Sequence, residues 1–370
     1  MKVIVIKNNL KEGLSAVGRI AGENLQLPIL KNILLEAMDN KIVLTATNLE
    51  IAIKFIVSGK IIENGSLAVP MAIFSNIISN IPNERLNIEN KKEVLEIQTD
   101  NYRATVNSSL ADEFPLIPKV KNENNYLEIE SGILKNALSQ VVIASQFSEL
   151  RPELNSVFVE YSIDSLKFVA TDSFRLAEKI ITENQISATS EESFSFLLPI
   201  QSAHELLRIL GNEEKVKIYR DENQVLFKTE QWELFSRLME GSFPDYKAVI
   251  PKKYGAEIMV SRDEFANSLK LAGIFGVKTN EIKIKILESK KALEISSADQ
   301  SLGENSYLLP AKLTGSSKEA SFNWKYLSDG LKALGSEEIL FCMNEDNKPA
   351  VIKSLKDTSY FYLVMPILKA

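Results

Sequence analysis

The chain carries nearly the same message three times, and that repetition restricts its fold more than any single motif does. LPILKNILLEAMDNKIVLTATNLEIAIK, from Leu27, is matched by RPELNSVFVEYSIDSLKFVATDSFRLAEK, from Arg151, and more faintly by TNEIKIKILESKKALEISSADQSLGENS, from Thr279. Each copy reads as two alternating strands about a polar turn, at Asp39-Asn40, Asp164-Ser165 and Glu288-Ser289. Thr47-Asn48 and Thr171-Asp172 close the same strand in the first two copies, and the SFRLA step after Asp172 reads as insertion-like. A second series has helical spacing: VPMAIFSNIISNIP from Val69, LPIQSAHELLRILG from Leu198 and FNWKYLSDGLKALG from Phe322. In it Leu206, Leu207 and Leu210 share one face, as do Leu327, Leu331 and Leu334. A third series of hairpins starts at Val94, Gln224 and Pro349, and its first two members run on to Phe114-Pro115 and Phe243-Pro244.

Every unit also opens with an amphipathic helix, in NLKEGLSAVGRIAG, SGILKNALSQVVIASQ and SRDEFANSLKLAGIF. In the last, Ser261 and Glu264 have capping-box spacing ahead of Phe265 and Leu269. The unit therefore reads helix, strands, helix, strands, an α+β domain with two helices on one face of mostly antiparallel sheets. A chain of 370 residues divides into three such domains, 1–121, 122–252 and 253–370. The polar stretches KVKNENN, from Lys119, and PKKYGAE, from Pro251, join them.

Composition closes several kinds of chemistry. With one cysteine, Cys342, and one histidine, His204, neither an internal disulfide nor a Cys/His metal cluster can form. His204 sits in an apparent helix beside Glu205 and Arg208 and reads as a partly exposed helix residue. No nucleophile motif or Gly-rich phosphate loop accompanies it, so no cofactor is implied. Nor does any apolar run approach the roughly 20 residues of a membrane span, and a cytoplasmic protein is expected. The net charge of −6 does not advertise a nucleic-acid binder.

LPILKNILLE, ATNLEI, ATDSFRLA, the FPDY of GSFPDYKAVIP and the terminal VMPI together resemble the bacterial DNA polymerase III beta subunit family, the sliding clamps. The match runs in order along the whole chain. The resemblance implies a non-catalytic processivity factor in which two three-domain chains join head to tail, closing a six-domain ring around duplex DNA. It also implies the clamp loader, DNA polymerase III alpha and other polymerases as partners. A closed ring of sheets joined edge to edge would leave no strand edge exposed.

Carried over position by position, the family's partner-peptide pocket falls on Leu154, Thr171, Ser173, Arg175, Leu176, Pro244 and Val249 of the second domain. From the third domain and the tail it takes Asn323, Tyr326, Val364, Met365, Pro366 and Ile367. The dimer contact falls on Ala104, Val106, Ile274 and Phe275. DNA would be held without sequence preference by Lys11, Arg19, Lys135, Arg208, Lys270, Lys325 and Lys332, with the acidic excess facing outward. VPMAIF and LPIQSA lack the basic pairs that some relatives carry there. Two further departures concern the pocket. Ser173-Phe174 stands where relatives commonly have Gly-His, and the tail ends ILKA, which implies a peptide preference differing in detail.

Two other readings compete. A monomeric three-repeat scaffold could bind peptides without encircling DNA. An enzyme could use Thr171, Asp172 and Arg175, but that aspartate has no partner base and the first copy has Ile51 in place of Arg175.

Overall fold

The computed structural model describes residues 1–21, 27–189, 192–211, 214–276, 279–316, 319–344 and 347–368. Lys369 and Ala370 of the tail lie outside them. The helices are α1 (Lys7–Val17), α2 (Met71–Asn80), α3 (Ser131–Val142), α4 (Ile200–Ile209), α5 (Arg262–Gly273) and α6 (Trp324–Lys332). No helix among the described residues is long and apolar enough to cross a membrane.

The chain forms two compact units, and the division passes through the middle repeat. The first unit holds Met1–Gly132, Ser187–Ser190 and Arg208–Leu238. One of its sheets has five strands, in the order Gly59–Glu63, Lys2–Ile6, Arg85–Lys91, Val94–Gln98 and Arg103–Asn107. The other has nine: Ile186–Ala188, Leu127–Glu130, Lys215–Arg220, Gln224–Lys228, Trp232–Arg237, Ile51–Val57, Lys41–Thr47, Asn32–Met38 and Gly65–Pro70. Repeats 1 and 2 thus share a sheet, joined where Trp232–Arg237 runs antiparallel to Ile51–Val57. Helix α1 buries Leu10, Leu14 and Val17. Gly13 permits that seat, because a Cβ there would stand 2.8 Å from Val57 and 2.9 Å from Leu44.

The second unit holds Ile133–Ile186, Glu191–Leu207 and Met239–Ala370. Its nine strands run Phe194–Pro199, Ser156–Ser162, Ser165–Thr171, Arg175–Thr182, Tyr360–Val364, Ala350–Ser354, Glu338–Met343, Ala256–Ser261 and Lys312–Gly315. The joint between repeats 2 and 3 repeats the one just described: Arg175–Thr182 is antiparallel to Tyr360–Val364. A four-stranded sheet follows the order Gly303–Pro310, Ala292–Asp299, Glu281–Leu287 and Glu319–Asn323. Phe265, Leu269, Leu327 and Leu331 are fully covered, and Gly330 lets α6 rest directly on the Tyr362 ring.

The repeat therefore holds, but its order needs three corrections. Each unit opens with a short strand, Lys2–Ile6, Leu127–Glu130 or Ala256–Ser261, ahead of the expected helix. Each segment of the first series contains three strands and not two, and the third series is a three-stranded meander whose last two strands are the expected hairpins. The second turn is Ile163-Asp164, one residue earlier than expected, because Ser165 already pairs with Ser162. Ser261 caps α5 through Glu264 N at 3.4 Å, while the Glu264 carboxylate accepts from the Tyr307 hydroxyl at 3.2 Å. The box is thus half formed.

Candidate functional site

The repeated Thr-Asx pairs build one turn twice. Thr47 Oγ1 donates to Ile51 O at 2.9 Å, and Asn48 Oδ1 accepts from Glu50 N at 3.1 Å and Ile51 N at 2.8 Å. Thr171 Oγ1 donates to Arg175 O at 2.7 Å, and Asp172 Oδ1 accepts from Phe174 N and Arg175 N, both at 2.9 Å. Even the left-handed residue is matched, Leu49 with φ 76° and Ser173 with φ 77°. The two turns have equal length, so the expected insertion-like step is a substitution within a fixed frame. Short side-chain acceptors that close a turn on their own backbone explain why Thr and Asx recur.

What separates the copies is the residue leaving the turn. Ile51 has become Arg175, only 8% exposed. Its Nε donates to Asp172 Oδ2 at 2.9 Å and its Nη1 to Asp329 Oδ2 on α6 at 2.8 Å. The guanidinium also lies over the Tyr326 ring, 4.4 Å from its centroid. Burial works against the Arg175 charge, but Tyr362 and Asp172 outweigh it and hold its pKa above the ordinary value. Burial first, then Asp172, also raises that of Tyr326. With two carboxylates and an aromatic face around it, the cation forms a fixed wall.

Beside this wall the tail is held at two points. Val364 lies opposite Arg175 in the ladder, Met365 N donates to Phe174 O at 2.8 Å, and Ile367 N donates to Ser321 O at 2.8 Å. Leu176 belongs to an apolar cluster with Tyr246 and Leu363, against which Met365, Phe243 and Ile250 pack. Pro244 O accepts from Tyr246 N at 2.7 Å, and Val249 is exposed nearby in sequence. Leu154 is buried in the short turn Pro152–Leu154. Just before it, Arg151 Nη1 donates to Ser173 Oγ at 3.0 Å, which ties that segment to the turn. Pro366 and Ile367 also border a cavity of about 280 Å³ with Lys283 and Ser321. All of these residues fall in the second unit.

Two expected ligands are otherwise engaged. Asn323 Oδ1 caps α6 by accepting from Lys325 N at 3.0 Å, so that oxygen already has a backbone partner. Arg208 donates to Ser15 O at 2.6 Å and to Ala16 O, both in the last turn of α1. It acts as a helix C-terminal cap, a role that sequence position alone gave no means of separating from a phosphate contact. Of the other cations, Lys11, Arg19, Lys270, Lys325 and Lys332 are exposed and Lys135 is half-buried. Ala104 and Val106 lie on Arg103–Asn107, the last strand of its sheet, half-buried and buried respectively. Ile274 follows α5 and is exposed, with Phe275 partly covered. His204 is exposed on α4.

Comparison with known proteins matches nearly the whole of this chain to one family. Three family models fit in order: the DNA polymerase III beta subunit N-terminal domain over residues 1–118, its central domain over 128–245 and its C-terminal domain over 247–368. The beta sliding clamp of Staphylococcus aureus is 30% identical over 352 residues, 92% of each chain. Two crystal structures, the DNA polymerase sliding clamp of Bacillus subtilis and the DNA polymerase III beta subunit of Thermotoga maritima, are each 28% identical. They superpose over 100% of both chains with TM-scores of 0.94 and 0.90.

Proposed function

The chain belongs to the DNA polymerase III beta subunit family, and we propose that it works as that family's sliding clamp, a non-catalytic processivity factor closed around duplex DNA. The observation that carries this reading is the pair of strands left over by the internal repeat. Ile51–Val57 and Arg175–Thr182 each join the next repeat, through Trp232–Arg237 and Tyr360–Val364. The corresponding strand of repeat 3 is Gly303–Pro310 and the corresponding receiver in repeat 1 is Arg103–Asn107. Each ends its sheet.

A second copy satisfies both edges by the rule already used twice within the chain, and two copies joined head to tail leave neither of these two edges open, while strands such as Gly59–Glu63 and Glu319–Asn323 still end their sheets. The internal registers pair Ala52 with Phe235 and Leu176 with Leu363. Carried to the third joint, they set Thr105 opposite Glu304 of the second copy.

Such a ring holds DNA by topology, so its attraction for phosphates can be weak. Exposed Lys11, Arg19, Lys270, Lys325 and Lys332 supply salt-sensitive contacts, and Arg208 does not. The surface that Met365, Val249 and the Arg175 wall form over the buried Leu176 and Leu154 takes a short, mostly apolar peptide from DNA polymerase III alpha, other polymerases and the clamp loader. Retention on DNA tests the reading. The protein should stay on a covalently closed or nicked circle and slide from the same DNA once linearised. A protein that leaves both equally, sedimenting as a monomer at every concentration, would be the peptide-binding scaffold instead.

A further inference from the structure

Asp329 divides its carboxylate between two cations with different tasks. Oδ2 accepts from Arg175 Nη1 at 2.8 Å, and Oδ1 accepts from Lys332 Nζ at 3.0 Å. The first cation walls the docking surface and is 8% exposed. The second stands one turn further along α6, and its side chain is 68% exposed. Tyr326, three residues before Asp329 on the same helix, carries the Arg175 guanidinium on its face. A single carboxylate therefore sits between the surface offered to a peptide and a lysine offered to a polyanion.

We infer that Asp329 is a positioning residue that couples the two sites: a phosphate backbone engaging Lys332 strengthens the hold of Asp329 on Arg175, and so favours peptide docking. The inference rests on the clamp reading above. Lys332 and Arg175 compete for one negative charge. When a phosphate draws Lys332 away, the whole charge is left to Arg175, which is then pinned more firmly between Asp172, Asp329 and the Tyr326 ring. A peptide meeting that fixed wall loses less conformational freedom on docking. Because coupling is reciprocal, peptide in the pocket tightens the grip of Lys332 on DNA by the same factor. The Lys332–Asp329 pair is solvent-exposed, which limits the effect to about threefold at low salt and less as salt rises.

The test uses the full chain and a fluorescent peptide from DNA polymerase III alpha, with affinity read by anisotropy. Duplex biotinylated at both ends is capped with streptavidin either after the protein has threaded on or before it is added. The expected result is about threefold tighter peptide binding on threaded DNA at low salt, fading at high salt. In Lys332→Gln the DNA-free affinity should already match the threaded value and gain nothing further. Asp329→Asn should lose the gain, and Asp329→Glu should recover it, which a merely structural role would not require. Equal peptide affinity with and without threaded DNA, or an undiminished gain in Lys332→Gln, overturns the coupling while leaving the clamp reading intact. No peptide binding, or no retention on capped DNA, overturns the clamp reading and the coupling with it.

Discussion

The guanidinium of Arg208 donates to the carbonyl of Ser15, with a second bond to the neighbouring Ala16, and so closes the last turn of α1. A residue at a position that suggests DNA is therefore part of the scaffold. Arg208→Ala should lower stability by about 1–2 kcal/mol, since a charged donor is lost from helix carbonyls that then have one partner fewer. Urea denaturation reads this loss. The salt dependence of DNA retention should barely change. By contrast, Lys11→Gln and Lys270→Gln should each reduce the slope of log affinity against log salt by about one.

How far the sequence foretold the structure depends on how local each interaction is. The Thr-Asx turns were legible because every bond in them spans four residues or fewer, so the repeated letters carried the repeated geometry. The helix faces were legible for the same reason. The opening strands were not, since four to six residues of alternation in LEIE or KVIVI cannot be told from a helix approach without their neighbours. The Arg175–Asp329 contact spans 154 positions, and nothing near either residue announces the other. Asn323 could have been found: an Asn directly before a helical run is a capping signal.

The ring joint can be tested by cross-linking at one register. Thr105 and Glu304 are both exposed, and the sole native cysteine, Cys342, is buried. In Thr105→Cys/Glu304→Cys, mild oxidation should convert the chain into a covalent dimer on non-reducing gels, and either single variant should not. Threaded onto circular DNA before oxidation, the double variant should survive on it through detergent. A joint shifted by one residue would turn the two side chains to opposite faces and give no cross-link.

Ser173 lies in the left-handed region, φ 77°, where a Cβ costs about 1 kcal/mol relative to glycine. Ser173→Gly and Ser173→Ala both remove the hydroxyl that accepts from Arg151, so comparing them isolates the backbone. The glycine variant should be more stable by about 1 kcal/mol in chemical denaturation. Phe174 is 59% exposed, and replacing it should change stability by less than about 0.5 kcal/mol. Its effect belongs to recognition: Ser173→Gly/Phe174→His, which restores the pair common among relatives, should shift affinity toward a standard clamp-binding pentapeptide. Unchanged affinity would mean that this rim does not select partners.

Cys342 gives a pH test of the packing beneath the docking surface, because it belongs to the same apolar cluster as Leu176. Burial pushes its thiol from 9.0 up to about 12, a shift that Lys353 only partly opposes. Below pH 9 the thiol is protonated in folded and unfolded chains alike, and its contribution to stability is complete. Above pH 9 the unfolded chain releases the proton and the folded chain keeps it, so stability should fall by about 1 kcal/mol per pH unit until about pH 12. Buried tyrosines such as Tyr246 and Tyr362, whose pKa values are also raised by burial, begin to act in the same direction toward about pH 10, so the thiol's share is the difference between the native protein and a variant without it. Between about pH 9 and 10 denaturation midpoints should decline more steeply in the native protein than in Cys342→Ala. Iodoacetamide at pH 8 should leave the folded protein unlabelled and modify it within minutes in urea. Rapid labelling without denaturant would mean that the cluster under Leu176 and Met365 opens in the native state.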